Sequence, residues 1–178
     1  LWMALLFVIE PASAQTPLPK PDRIVIVIEE NHSFAQIIDS PSAPYLNSLA
    51  RKGALLTNSY GITHPSQPNY IALFAGSIEG VNGNTCPLAL TAPNLHSTLT
   101  QAGQTFAGYA EDLPAVGATD CVAGSYARKH NPWVNWQSSP INTVPAADNR
   151  PFTDFPTDFR TLPTVSMVVP NQLNDMHN

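Results

Sequence analysis

Two rhythms of apolar and polar positions run along this chain. DRIVIVIEEN, residues 22–31, is an unbroken β-branched run that ends in acidic and amide side chains. Such a run predicts a central strand buried on both faces, as in parallel α/β sheets. SAPYLNSLARKG then takes a helical period. Tyr45, Leu46, Leu49 and Ala50 share one face, Arg51 and Lys52 favour the last turn, and Gly53 stops it. ALLTNSYG, residues 54–61, predicts a second strand. PNYIALFAGS predicts a short apolar helix opened by Pro68 at a first-turn position. PNLHSTLTQAG repeats the helical period with Gly103 as its terminator. TFAGYAED and TVSMVVPN predict the third and fourth strands.

Strands alternating with helices imply an α/β fold, a three-layer sandwich with a mostly parallel central sheet. Between Leu113 and Pro163 the chain carries prolines, aromatics, Asn and Asp with little periodicity. That is longer than a plain connection, so it reads as functional or as an insertion. No internal repeat, heptad, glycine-rich phosphate loop or CxxC pair interrupts this plan.

Composition adds a compartment and removes a partner. The chain has 178 residues, 43% hydrophobic, enough for one domain with a real core. Its net charge of −5 argues against binding nucleic acid through phosphate neutralisation. An apolar run from Leu1 to Ile9 precedes Ala12-Ser13-Ala14, a small-x-small cleavage pattern. Residues 1–14 are therefore expected to be part of a signal peptide, with a periplasmic or secreted domain over 15–178. The run is too short to span a bilayer, and no transmembrane segment is expected in the mature chain. Cys86 and Cys121 fit a single disulfide in an exported protein, the alternative being two buried thiols.

In parallel sheets, ligands bind beyond the carboxyl ends of the strands. The polar clusters fall there: Glu29, Glu30 and Asn31 after the first strand, and Thr63, His64 and Ser66 after the second. Glu111 and Asp112 follow the third, and Asn171, Asp175 and His177 the fourth. A serine at the start of a helix lies beside free backbone N–H groups that favour an anion such as phosphate. Its hydroxyl needs a base or a metal to become a nucleophile. On spacing alone, Ser66 is either that nucleophile or a helix cap. Neither a GxSxG elbow nor a Ser-His-Asp order stands out. The carboxylates, Asn and His offer ligands for a divalent cation. Glu29 reads as a solvated carboxylate, because adjacent strand residues point to opposite faces. His96 reads as a helix-surface residue, and Glu111 and Asp112 could cap a turn.

VIVIEENHSF, THPSQPNY, AEDLP, KHNP and VPNQLNDMH together resemble the bacterial acid phosphatase and phospholipase C phosphoesterase family, within the alkaline phosphatase superfamily. The resemblance runs from about Arg23 to Asn178. It implies an alkaline phosphatase-like sandwich and a metal-dependent phosphoric ester hydrolase acting on a phosphate ester. It makes Ser66 the counterpart of the Ser/Thr nucleophile, working through a phosphoserine. Glu30, Asn31, Asp175 and His177 become the expected metal ligands. Asn84, His64 and His130 become substrate-binding residues, with Lys129 beside His130. Relatives continue into a further strand with more acidic ligands, so the chain is expected to be incomplete at its C-terminus. Phosphomonoesterase is the favoured activity. A phospholipase C-type diesterase and a non-catalytic phosphate-ligand-binding domain are the alternatives. Substrate, metal identity and oligomeric state are not fixed by these motifs.

Overall fold

Among the described residues, six strands occur in chain order: β1 (Ile24–Val27), β2 (Phe106–Ala110), β3 (Val122–Ala123), β4 (Tyr126–Ala127), β5 (Asn149–Pro151) and β6 (Val165–Val169). The structure, a computed structural model, describes residues 20–177; the expected signal peptide lies outside them. Four strands make one sheet in the order β1-β6-β2-β5, and β3 pairs only with β4. Every pairing in the larger sheet is parallel, with Ile24 and Phe106 flanking Val165 from either side. The fold is α/β, as expected, and compatible with a three-layer sandwich. Parallel pairing sets the carboxyl ends of β1, β2 and β6 at one edge.

The central strands β2 and β6 are buried along their whole length. β1 departs from expectation. Ile24, Val25 and Val27 are more than two-fifths exposed. Its run of β-branched residues fits a strand, but among the described residues β6 is its sole neighbour. The strand expected at 54–61 does not form, and all its residues are exposed. A strand exists only where a neighbour takes its N–H and C=O groups. This segment has no ladder partner among the described residues.

The helices are α1 (Phe34–Ile37), α2 (Pro44–Lys52), α3 (Ser66–Ala75) and α4 (Leu95–Gln101). In α2 the predicted apolar face is not the buried one: Tyr45 and Leu49 stay exposed, and Asn47 is buried instead. The Asn47 side chain accepts from Asp39 N and donates to the Ile37, Ser40 and Ala43 carbonyls, which ties α2 to the preceding turn. α4 starts at an Asn94 capping box with Ser97. α3 begins at Ser66, ahead of Pro68, and ends at Gly76 in the left-handed conformation.

One face of the sheet carries the main core, where Ile71, Phe74 and Leu99 meet Phe106, Met167, Val169, Trp133 and Trp136. The other face carries Ala107, Tyr109 and Val168 under Phe155. Gly108 is required on the main face. A Cβ there would lie 2.0 Å from Trp133 Cε2, so only glycine lets the indole rest on β2. The aperiodic segment 113–163 is ordered by polar contacts. Asn149, fully buried, accepts from Asn131 Nδ2 at 3.1 Å and Trp133 Nε1 at 2.8 Å. It donates to the Ala118 carbonyl at 2.8 Å and Gln137 Oε1 at 3.2 Å. Buried Arg128 donates to the Leu88 and Thr119 carbonyls and to Asn135, and burial holds its pKa below the usual value. Cys86 and Cys121 form the expected disulfide, with Cα atoms 5.8 Å apart.

Candidate active site

A pocket of about 420 Å³ lies at the carboxyl end of β1, where the chain leaves the sheet and α3 begins. Glu30, Asn31, His64, Ser66 and Tyr70 line it, with Tyr60 and Leu73. Ser66 is the first residue of α3, and Pro65 occupies the cap position. The Ser66 hydroxyl makes no capping bond; it donates to Glu30 Oε2 at 3.1 Å. The cap alternative is therefore not the arrangement adopted.

The approach to Ser66 is folded by a residue the sequence reading passed over. Asn69 accepts from Ile62 N at 2.8 Å and Thr63 N at 3.1 Å. Its amide donates back to the Thr63 and Pro65 carbonyls at 2.8 and 3.0 Å. These bonds satisfy backbone groups that an exposed turn would otherwise leave to water. From the other side, Gln67 exchanges hydrogen bonds with the Thr85 backbone. Its own N–H donates to Asn84 Oδ1 at 3.2 Å. Asn84 thus holds the first turn of α3, and its side chain belongs with Lys129 to a separate cavity of about 190 Å³ beside the disulfide.

Behind Glu30 lies a buried row of ionisable groups. Glu30 Oε1 sits 3.1 Å from His130 Nε2, and His130 Nδ1 sits 3.5 Å from Asp175 Oδ2. Glu30, His130 and Asp175 are all buried. The Glu30 backbone N–H also donates to the Asp175 carbonyl at 2.6 Å. Burial lowers the His130 pKa, while the charges of Glu30 and Asp175 pull it upward. The imidazole stacks on Tyr70, with ring centroids 4.9 Å apart and planes 17° from parallel.

Several expected site residues stand elsewhere. His130 backs Glu30 and does not line the pocket, because the KHNPW segment is pulled inward by Asn149. Asp175 lies behind His130, with Oδ1 accepting the His177 N–H at 3.0 Å, and the His177 side chain is exposed outside the pocket. Glu29 is exposed at the pocket edge. Partial burial raises its pKa first, then the charges of Asp175 and Glu111. Glu111 and Asp112 accept from Asn171 N and Nδ2 at 2.9 and 2.7 Å, which locks the ends of β2 and β6 together. His96 is not a surface residue. It packs on Phe106 and pairs with Asp148 at 3.3 Å.

Glu30, Asn31 and Ser66 present oxygen donors to one pocket, the donor chemistry that hard divalent cations take. Glu30 and Asp175 face opposite nitrogens of His130, so these three cannot converge on one ion. Among the described residues, no three His, Cys, Asp or Glu side chains form such a set. A cation therefore fits the pocket side of Glu30. It does not fit the buried row.

A model of the phosphoesterase family matches residues 38–178. The chain is 53% identical over 168 residues to a phosphatidylinositol-3-phosphatase of Mycobacterium tuberculosis, covering 93% of this chain and 54% of that protein. It is 34% identical over 170 residues to a phosphate-repressible acid phosphatase of Penicillium chrysogenum, covering 88% and 39%. An acid phosphatase of Aspergillus fumigatus is 31% identical over 150 residues, covering 79% and 34%. The chain spans about half the length, or less, of these curated relatives. No solved structure matches it.

Proposed function

The chain belongs to the phosphoesterase family, and from that premise we propose that it is an exported, metal-dependent phosphoric monoester hydrolase with Ser66 as nucleophile. The observation that carries this reading is the Ser66 hydroxyl, held by Glu30 at the first turn of α3 inside the pocket. The Ser66 oxygen attacks phosphorus, and its proton leaves along the hydrogen bond to Glu30. A P–O bond forms to Ser66 as the ester P–O bond breaks, and the leaving alkoxide takes its proton from solvent or from protonated Glu30, which returns the carboxylate. Water then cleaves the phosphoserine, releasing phosphate and restoring the hydroxyl. The positive end of α3 favours the anionic phosphoryl group, although the Gln67 N–H is already taken by Asn84 and Pro68 has none to offer.

Glu30 and Asn31 would hold the divalent cation next to Ser66. When bound, it lowers the pKa of the hydroxyl and neutralises charge on the transferred group. His64 lines the same pocket and would contact the substrate. Asp175 and His130 would act from behind Glu30, and Asn84 through α3. The names of the relatives, all phosphatases, favour a monoester over a diester. Export is supported by the disulfide. No helix among the described residues is long and apolar enough to cross a membrane.

The test is Ser66→Ala in the purified full-length protein. Turnover of p-nitrophenyl phosphate should fall on the order of 10⁴-fold or more, with binding of inorganic phosphate retained. A variant that keeps its turnover would remove Ser66 from the chemistry. Binding without turnover in the unsubstituted protein would favour a non-catalytic phosphate-binding domain.

A further inference from the structure

We infer that Tyr70 is a positioning residue: its ring is the plate that holds the His130 imidazole against Glu30, the acceptor of the Ser66 hydroxyl. This rests on the reading of Ser66 as nucleophile. Tyr70 lies one helical turn beyond Ser66 on α3, so the two side chains share a face of the helix. Its ring is 5% exposed and nearly parallel to the imidazole. On the far side Asp175 Oδ2 lies 3.5 Å from the other nitrogen of His130, a close charge contact outside hydrogen-bonding geometry. An imidazole confined by a ring face and a carboxylate has little freedom to turn. Its Nε2 edge then limits where Glu30 Oε1 can go, and Glu30 Oε2 meets Ser66.

The ring, not the hydroxyl, carries this role. The Tyr70 hydroxyl is buried close to the Glu30 carboxylate, outside the geometry of a hydrogen bond. A buried hydroxyl without a partner is unfavourable for the fold. Removing it while keeping the ring should leave the stack in place.

The experiment compares Tyr70→Phe and Tyr70→Leu in the full-length protein, with p-nitrophenyl phosphate as substrate. Tyr70→Phe should keep kcat within about threefold. Tyr70→Leu should lower kcat on the order of 10- to 100-fold with little change in KM, because orientation is lost and phosphate binding is not. Equal losses in both variants would overturn the proposal by making the hydroxyl the working group. An unchanged kcat in Tyr70→Leu would overturn it too. A second measurement needs neither turnover nor a folded Leu variant. The His130 ring protons in the NMR spectrum of the unsubstituted protein should be shifted upfield by the stacked ring, and Tyr70→Phe should preserve that shift. Unshifted resonances would show that the stack is absent. Failure of the Ser66→Ala test alone would strike the nucleophile reading and leave this measurement standing.

Discussion

Replacing Asn149 by alanine should destabilise the fold by about 3–5 kcal/mol, and the number follows from its four hydrogen bonds. The truncation leaves the Trp133 indole N–H and the Ala118 carbonyl without the partners they have at 2.8 Å each. Asn131 keeps a second contact to the Tyr126 hydroxyl at 3.2 Å, while Gln137 Oε1, on a half-buried side chain whose Nε2 stays bonded to the Gly117 carbonyl, is left for water to reach. One buried and one half-buried polar group are thus orphaned, at about 1–3 kcal/mol each, with a small cavity added. Against a total stability of roughly 5–15 kcal/mol, the loss is large. Asn149→Asp supplies the control. It keeps acceptors for Asn131 and Trp133 but sets a carboxylate oxygen against the Ala118 carbonyl. At neutral pH it should be at least as destabilised as the alanine variant. It should recover as pH falls, because a buried, unpaired carboxylate has a raised pKa and protonation restores one donor. Urea unfolding followed by tryptophan fluorescence reads both variants. An alanine variant within about 1 kcal/mol of the parent would refute the reasoning.

Three further outcomes are expected. Gly108→Ala should destabilise by at least about 1–3 kcal/mol in the same assay, since its Cβ meets the Trp133 indole at 2.0 Å; an unperturbed Tm would contradict this contact. Replacing Cys86 and Cys121 together by serine opens a tie between positions 35 apart, and chain entropy sets the loss at about 3–4 kcal/mol; reduction of the parent should lower Tm in parallel. Burial raises the Tyr126 pKa to about 12, above the unfolded value of about 10. Its contribution is complete below the unfolded pKa and is lost as pH rises through the folded one. Stability should fall more steeply over that window in the parent than in Tyr126→Phe, and equal slopes would remove Tyr126 as the cause.

What could be read from the sequence divides along a physical line. β2 and β6 were legible because a buried strand writes its environment into an unbroken apolar run. α4 was legible from Asn94 and Gly103, because capping is chemistry between near neighbours. ALLTNSYG carries the same strand composition, but pairing depends on a partner that local composition does not specify. β5 has the opposite character: Asn149, Arg150 and Pro151 carry no strand signal, and β5 is set by pairing with β2. At the site, Ser66, Glu30 and Asn31 could be named from strand ends and motifs, and they line one pocket. The KHNP block pointed to His130 but not to its direction, which Asn149 fixes from the next strand. Asn69 and Tyr70 stood inside THPSQPNY in plain view. Their roles depend on the turn before α3 and on a ring from elsewhere in the chain, so spacing alone could not assign them.

The half-exposed first strand has a practical consequence for handling the protein. β1 bears Ile24, Val25, Ile26 and Val27 in succession, and among the described residues only β6 hydrogen-bonds to it. Among the described residues its outer rim therefore has no ladder partner for its N–H and C=O groups, which lie beside apolar side chains with no charge or proline within the strand. If nothing else covers that rim, a second molecule is expected to extend the sheet there by addition. For the chain as described, solubility should depend on concentration rather than on temperature alone. A single lysine at the exposed Val27 would act as a gatekeeper, raising the concentration at which light scattering begins while leaving the Ser66 pocket as it is.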